Sequence, residues 1–247
     1  MSVTAIRAAT LLAIWAAWEA LAQSGLVYEG IVPSSLAVAV AVFRQLSQQE
    51  IYVDILQTAY EVIVGFAVGS LAGVSAGLLL GACRFVDRAA APYVQGLAAT
   101  PKIVFLPILM LALGVGAGSK IGMGALSAFF PILIATAEGM QGVSPTLLRV
   151  ARSFNASGLQ IVRTVILPSL VEPILTGMRL GLGVAIVGVL LAEIKFARAG
   201  LGHLAIQHYN FLRTADMYAV LLITFALALA ANALMGAAGR RLRRRRL

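Results

Sequence analysis

Five ionisable residues stand inside otherwise apolar stretches of this chain: Glu61, Lys102, Glu138, Arg179 and Glu193. A charge surrounded by aliphatic side chains is costly, so such residues pair with one another or line a polar path. Lys102 is the most informative, because Pro101 and Pro107 interrupt the helix around it and free backbone groups that need a protein or aqueous lining. A broken helix carrying a cation suits the passage of an anion. The competing reading is that Lys102 or Arg179 pairs with Glu138 or Glu193 as structural glue. Lys102, Glu138, Arg179 and Glu193 are therefore the candidate pathway residues, while Glu61 is expected near an outer interface and Glu172 with the loop beside it.

Other chemistry is poorly supplied. The two histidines, His203 and His208, are five apart, read as solvated residues of an outer loop, and have no third ligand for a metal. Gly114-Val-Gly-Ala-Gly-Ser-Lys120 lacks the Gly-Lys-Ser/Thr order and the preceding strand of a phosphate-binding loop, and reads as an outer turn. Asn155-Ala-Ser-Gly158 is the nearest string to the Gly-x-Ser-Gly of an intramembrane serine protease, with the wrong first residue and in a long loop on the cytoplasmic side. The single cysteine, Cys83, cannot form an internal disulfide. No catalytic residue and no metal site are expected.

The elements that position these residues are membrane spans. Of 247 residues, 60% are hydrophobic and 12% charged, far more apolar and less charged than a soluble domain. Helices of about 20 apolar residues cross a bilayer, and six stretches qualify: 6–22, 57–82, 91–113, 119–140, 172–194 and 216–238. Leu36 to Leu46, opened by Pro33 and Ser34 or Ser35, is too short to cross and reads as an interfacial helix. The expectation is an all-α polytopic protein forming one transmembrane domain over 1–247, with its core at about 55–240. The first stretch also resembles a cleavable signal peptide, but Glu19, Trp15 and Trp18 before Ala20-Leu-Ala22 favour retention.

The net charge of +9 is local: Arg240, Arg241, Arg243, Arg244, Arg245 and Arg246 form a basic tail over 239–247. Such a tail marks a cytoplasmic C-terminus and, with six spans, a cytoplasmic N-terminus. Nucleic-acid binding is the weaker reading of that charge. Gly65, Gly69, Gly73, Gly77 and Gly81 recur every four residues and form a ridge along which another backbone can approach, a seam within the chain being expected over a subunit interface.

The connection between the fourth and fifth spans, about 30 residues, is too long for a simple bundle loop. Ser144-Pro145 opens a helix whose Leu147, Leu148, Ala151 and Phe154 share one face. Asn155 can take the left-handed turn that ends it. Ser157 and Gln160 form a capping box for a second helix, which Leu167-Pro168 closes. An apolar protrusion of this kind asks for a protein partner.

From Arg149-Val-Ala151 to Val165-Ile-Leu-Pro168 the spacing resembles the cytoplasmic loop of bacterial ABC importer permeases: Glu-Ala-Ala, three residues, Gly, nine residues, Ile-x-Leu-Pro. Thr100 to Pro107, Gly114 to Lys120 and Ala192-Glu193 are similar to the nitrate, sulfonate, taurine and bicarbonate group of those permeases. Arg149, Val150 and Asn155 depart from the motif's Glu, Ala and Gly. The resemblance implies the type I (MetI-like) importer permease fold in a bacterial inner membrane. It also implies a second permease subunit, two ABC ATPases holding ATP and Mg, a periplasmic binding protein, and no cofactor on this chain. Residues 144–168 would then couple to the ATPase through Arg149, Ala151, Phe154, Asn155, Ala156, Ser157, Leu167 and Pro168. The implied cargo is a small anion, with an uncharged heterocyclic nutrient or an ATP-independent transporter as alternatives.

Overall fold

A computed structural model describes residues 3–25 and 31–244, and no strand occurs among them. The tail expected over 239–247 is thus described only in part, Arg245 and Arg246 lying outside. The helices are α1 (Val3–Gln23), α2 (Ser35–Ser47), α3 (Glu50–Ala82), α4 (Arg84–Ala99), α5 (Leu106–Leu113), α6 (Ala117–Gln141), α7 (Pro145–Ser153), α8 (Gly158–Ile161), α9 (Leu167–Phe196), α10 (Leu201–Asn210) and α11 (Thr214–Arg244). Five uninterrupted stretches are long and apolar enough to span a membrane, and the bent pair α4 and α5 makes a sixth.

The core is a three-helix layer with α6 between α3 and α9. It is tight because the α3 glycines face carbonyls of α6. A Cβ on Gly65 would lie 2.8 Å from the Ile121 oxygen, on Gly73 2.8 Å from Phe129 O, on Gly77 2.6 Å from Leu133 O and on Gly81 2.8 Å from Ala137 O, while Gly69 abuts the Ala125 oxygen. The register of four on α3 thus matches a register of four on α6, and only hydrogen fits between. On the opposite side of α6, Gly177, Gly181 and Gly188 admit Ala135, Ile132 and Ser127. Ala128, Ile132 and Ala185 fill the space between the backbones.

Two expected spans are built differently. The stretch 91–113 is not one rod: α4 and the segment Lys102–Leu113 meet at 90°, with a short 3-10 turn at Lys102–Phe105 following the break. Thr100-Pro101 causes this, since the residue before proline avoids the helical region and proline cannot donate back. The fifth span does not begin at 172, and Leu167-Pro168 does not close a helix. One apolar helical stretch runs from Gly158 to Phe196, 39 residues, widened to a π turn over Val162–Ile166. The wider turn accommodates Pro168, which has no N–H to give, while the Thr164 and Ser169 hydroxyls bond back to the carbonyls of Gln160 and Val165, each at 2.7 Å.

At the periphery, α1 has no buried residue, and its last turns join it to the rest of the chain. Trp18 Nε1 donates to Pro33 O (3.1 Å), its ring meets Tyr218 edge-on, and Glu19 accepts from Ser35 N–H (3.0 Å). Ser34 caps α2 as expected, accepting from Ala37 N–H, so α2 begins with two side-chain oxygens on its free amides.

Candidate functional site

The 144–168 segment is a stiff knuckle. Pro145 opens α7. Asn155 has φ of 52°, and behind it Ala156 N–H donates to Ala151 O (3.1 Å) while Asn155 N–H donates to Arg152 O (2.9 Å). These two bonds are the Schellman closure of a helix, here made with Asn in place of Gly. Ser157 accepts from Gln160 N–H (3.4 Å) and Gln160 Oε1 accepts from Ser157 N–H (2.7 Å), completing the capping box and starting α8 at once.

The free apolar face is rotated from the expected one. Leu148 and Ala151 are half-buried on the side packed against the following turns. Leu147, Val150 and Phe154, at i, i+3 and i+7, form the exposed stripe, with Phe154 81% exposed and Leu159 exposed beyond the turn. Arg149 is exposed and reaches Thr146 Oγ1 (3.4 Å). Ser157 and Leu167 are also exposed, and Ala156 is half-buried.

The pathway candidates are not brought together. Lys102 is half-buried at the break after α4, where its ammonium donates to the carbonyls of Leu97 (3.1 Å), Ala98 (2.6 Å) and Thr100 (2.7 Å) and lies 5.1 Å from the Phe130 ring centre. It serves as the C-terminal cap that the broken helix needs. Glu138 faces a cavity of about 140 Å³ with Asp87 and Gln95. Arg179 lies near Arg240 between α9 and α11.

Glu193 is fully buried at the far end of α9. Its Oε1 accepts from the Thr58 hydroxyl (2.7 Å) and its Oε2 from Gly202 N–H (2.7 Å). Thr58 Oγ1 in turn accepts from Leu201 N–H (2.9 Å), and Asp54 accepts from Gly200 N–H (2.7 Å). Three side chains thus clamp the turn that leads into α10. Glu61, instead of lying at an interface, is 2% exposed beside this clamp, accepting from Gln57 Nε2 (2.7 Å) with its second oxygen unpartnered. Lys120, 3% exposed, binds the carbonyls of Val115, Gly116 (3.0 Å) and Phe196 (3.2 Å), and its charge acts on both Glu61 and Glu193. A cavity of about 370 Å³ lined by Gln57, Glu61, Lys120 and Arg198 opens there. Since α6 and α9 run between this cluster and the knuckle, the two occupy opposite ends of the bundle, about 30 Å apart by helix rise.

Two of these partners carry weak sequence signals. Lys120 stands in the glycine-rich run read as a turn, yet helix α6 already starts at Ala117. Thr58 is one hydroxyl in an apolar stretch. His208 is not a solvated loop residue: it lies buried on α10, its Nε2 3.0 Å from Gln45 Nε2. The ion pair of Arg44 with Asp216 stands beside it. Among the described residues no group of three potential ligands could hold a metal.

The chain is thus a polytopic helical bundle with a stiff, capped protrusion at one end. Residues 69–246 match the family described as binding-protein-dependent transport system inner membrane component. The chain is 30% identical over 210 residues to the putative aliphatic sulfonates transport permease protein SsuC of Bacillus subtilis, covering 85% of this chain and 76% of that protein. It is 30% identical over 158 residues to the nitrate import permease protein NrtB of a Synechocystis species, covering 64% and 58%. Its fold is that of a chain in the inward-facing MetNI methionine ABC transporter, with a TM-score of 0.66 at 20% identity over 78% of this chain and 96% of that one. The chain belongs to the binding-protein-dependent transport inner membrane component family and is a permease subunit of an ABC importer.

Proposed function

We propose that this permease moves a small anion of the sulfonate or nitrate kind, delivered by a periplasmic binding protein and driven by ATP hydrolysed on separate ATPase subunits. The observation that carries the reading is the knuckle. Leu147, Val150, Phe154 and Leu159 are exposed on a segment fixed by the Asn155 closure, and the second half of that segment continues into α9. A force applied at Phe154 is therefore delivered to a helix that packs along the core, the rigid-body coupling that switches a bistable bundle. Differential affinity of ATP for two states of the docked ATPases supplies the bias. The basic end of α11 lies at the same end of the bundle, which fits a cytoplasmic knuckle. The anion assignment draws on the relatives' names.

Reconstitution of the permease with its co-purifying ATPase and binding protein tests this. Hydrolysis is expected to rise when the binding protein is loaded with an aliphatic sulfonate or with nitrate, and uptake to require ATP. Uptake by the permease alone, or a knuckle labelled from the periplasmic side, overturns it.

A further inference from the structure

At the knuckle end of the bundle two guanidinium groups converge on one glycine. The point where a Cβ on Gly236 would stand lies 3.4 Å from Arg240 Nη1 and 3.6 Å from Arg179 Nη2. Gly236 is buried beneath these side chains. Neither guanidinium has a carboxylate within ion-pair distance among the described residues, where Arg44 with Asp216 is the pair formed. Both side chains are exposed, and two like charges held this close make a point that an anion would stabilise. Glu172 also lines the adjoining cavity of about 100 Å³.

The surroundings identify the anion's chemistry. Along the same flank of the α9 and α11 pair, Leu180, Val184 and Val187 of α9 and Phe225 and Leu229 of α11 are exposed. In antiparallel helices these positions lie on one side, running from the arginines toward the middle of the bundle. Arg240 closes the apolar part of α11, and Arg179, about three turns inside α9, reaches back toward that level, as a long cationic side chain does near a bilayer surface. A charged head beside an apolar strip fits an amphiphile.

We infer that Arg179 and Arg240, over Gly236, form a binding site for the phosphate of an anionic phospholipid whose acyl chain lies along the exposed α9 and α11 strip. The site is separate from the knuckle stripe and from the Glu61, Lys120 and Glu193 cluster. It differs from diffuse attraction of the basic tail in having a fixed geometry. The charge complementarity selects phosphatidylglycerol or cardiolipin over phosphatidylcholine.

Native mass spectrometry of the assembled permease, titrated with phosphatidylglycerol and with phosphatidylcholine, tests the site. One phosphatidylglycerol per chain is expected to be retained in preference to phosphatidylcholine. Arg179→Gln with Arg240→Gln is expected to weaken that retention by about tenfold or more. Gly236→Leu keeps both charges, fills the point between them and is expected to remove the preference too, so the site is testable should the double variant fail to fold. Equal retention of the two lipids by the wild type, or an unchanged preference in Gly236→Leu, overturns the inference. So does displacement of the lipid by millimolar inorganic phosphate, which would make the ligand a free anion. A change in permease dimerisation at unchanged lipid retention would place a second subunit on this flank instead.

Discussion

The Thr58 hydroxyl donates to Glu193 Oε1 at 2.7 Å, joining α3 to the end of α9 across the bundle, and the same oxygen of Thr58 accepts the Leu201 amide. Thr58→Val keeps the shape but leaves a buried carboxylate oxygen and a buried N–H without partners. Each such group costs about 1–3 kcal/mol. The variant is expected to melt earlier in detergent than the wild type. Gly200→Ala is expected to be worse, because Gly200 has φ of 109° and a methyl there would meet the Glu193 carboxylate. Melting temperatures equal to wild type in both variants would show that the clamp does not support the fold.

The glycine ridge makes a sharper contrast. Gly73→Ala and Gly77→Ala place a methyl against α6 carbonyls that cannot move without separating the helices, so a loss of about 1–3 kcal/mol or more is expected for each. Gly183→Ala, in α9 with nothing within 4 Å, is expected to be neutral or slightly stabilising, since alanine favours the helix. Thermal unfolding of the three purified variants checks this, and equal behaviour at positions 73 and 183 would contradict the packing.

These two sites show what the sequence disclosed. A period of four glycines is a local pattern, and its meaning, close approach, does not depend on which helix approaches. The α7 turn and the capping box were legible for the same reason: Ser144-Pro145, Asn155 and Ser157 with Gln160 act within a few residues of themselves. The Thr58, Glu193 and Gly202 clamp joins residues up to 144 positions apart, and nothing local distinguishes Thr58 from other hydroxyls in an apolar helix. Pro168 misled in the other direction. Proline usually ends a helix, but a π turn and two back-bonded hydroxyls let this one continue. Lys102 signalled a break correctly, while its partners proved to be the carbonyls that the break exposes.

On the knuckle, Phe154 is expected to matter most, as the most exposed aromatic of the stripe. Phe154→Asp should weaken ATPase attachment by about 2 kcal/mol or more, roughly thirtyfold, with membrane insertion unchanged. Asn155→Ala strains the left-handed turn by about 1–2 kcal/mol and should lower coupled ATP hydrolysis, whereas Asn155→Gly should preserve it. Pull-down of the ATPase with each variant measures the first effect and ligand-stimulated hydrolysis the second. Undiminished attachment in Phe154→Asp would move the docking surface elsewhere.

Acidity should act through His208. Its ring is buried on α10, and that burial is the main cause holding its pKa below the usual value of about 6.5, with Arg213 and Arg44 adding to the effect and Asp216 opposing it. Gln45 Nε2 donates to the neutral ring nitrogen at 3.0 Å, a bond a protonated ring cannot accept. A base whose folded pKa is depressed takes up its proton more readily when unfolded. Stability is therefore at its full value above about pH 6.5 and declines as the pH falls from there toward the folded pKa. The melting temperature in detergent is expected to drop between pH 7.5 and 5.5, and His208→Gln, which does not titrate, to flatten that part of the profile while lowering stability at pH 7.5. A wild-type profile that rises on acidification, or one that His208→Gln leaves unchanged in slope, would remove His208 as the titrating group.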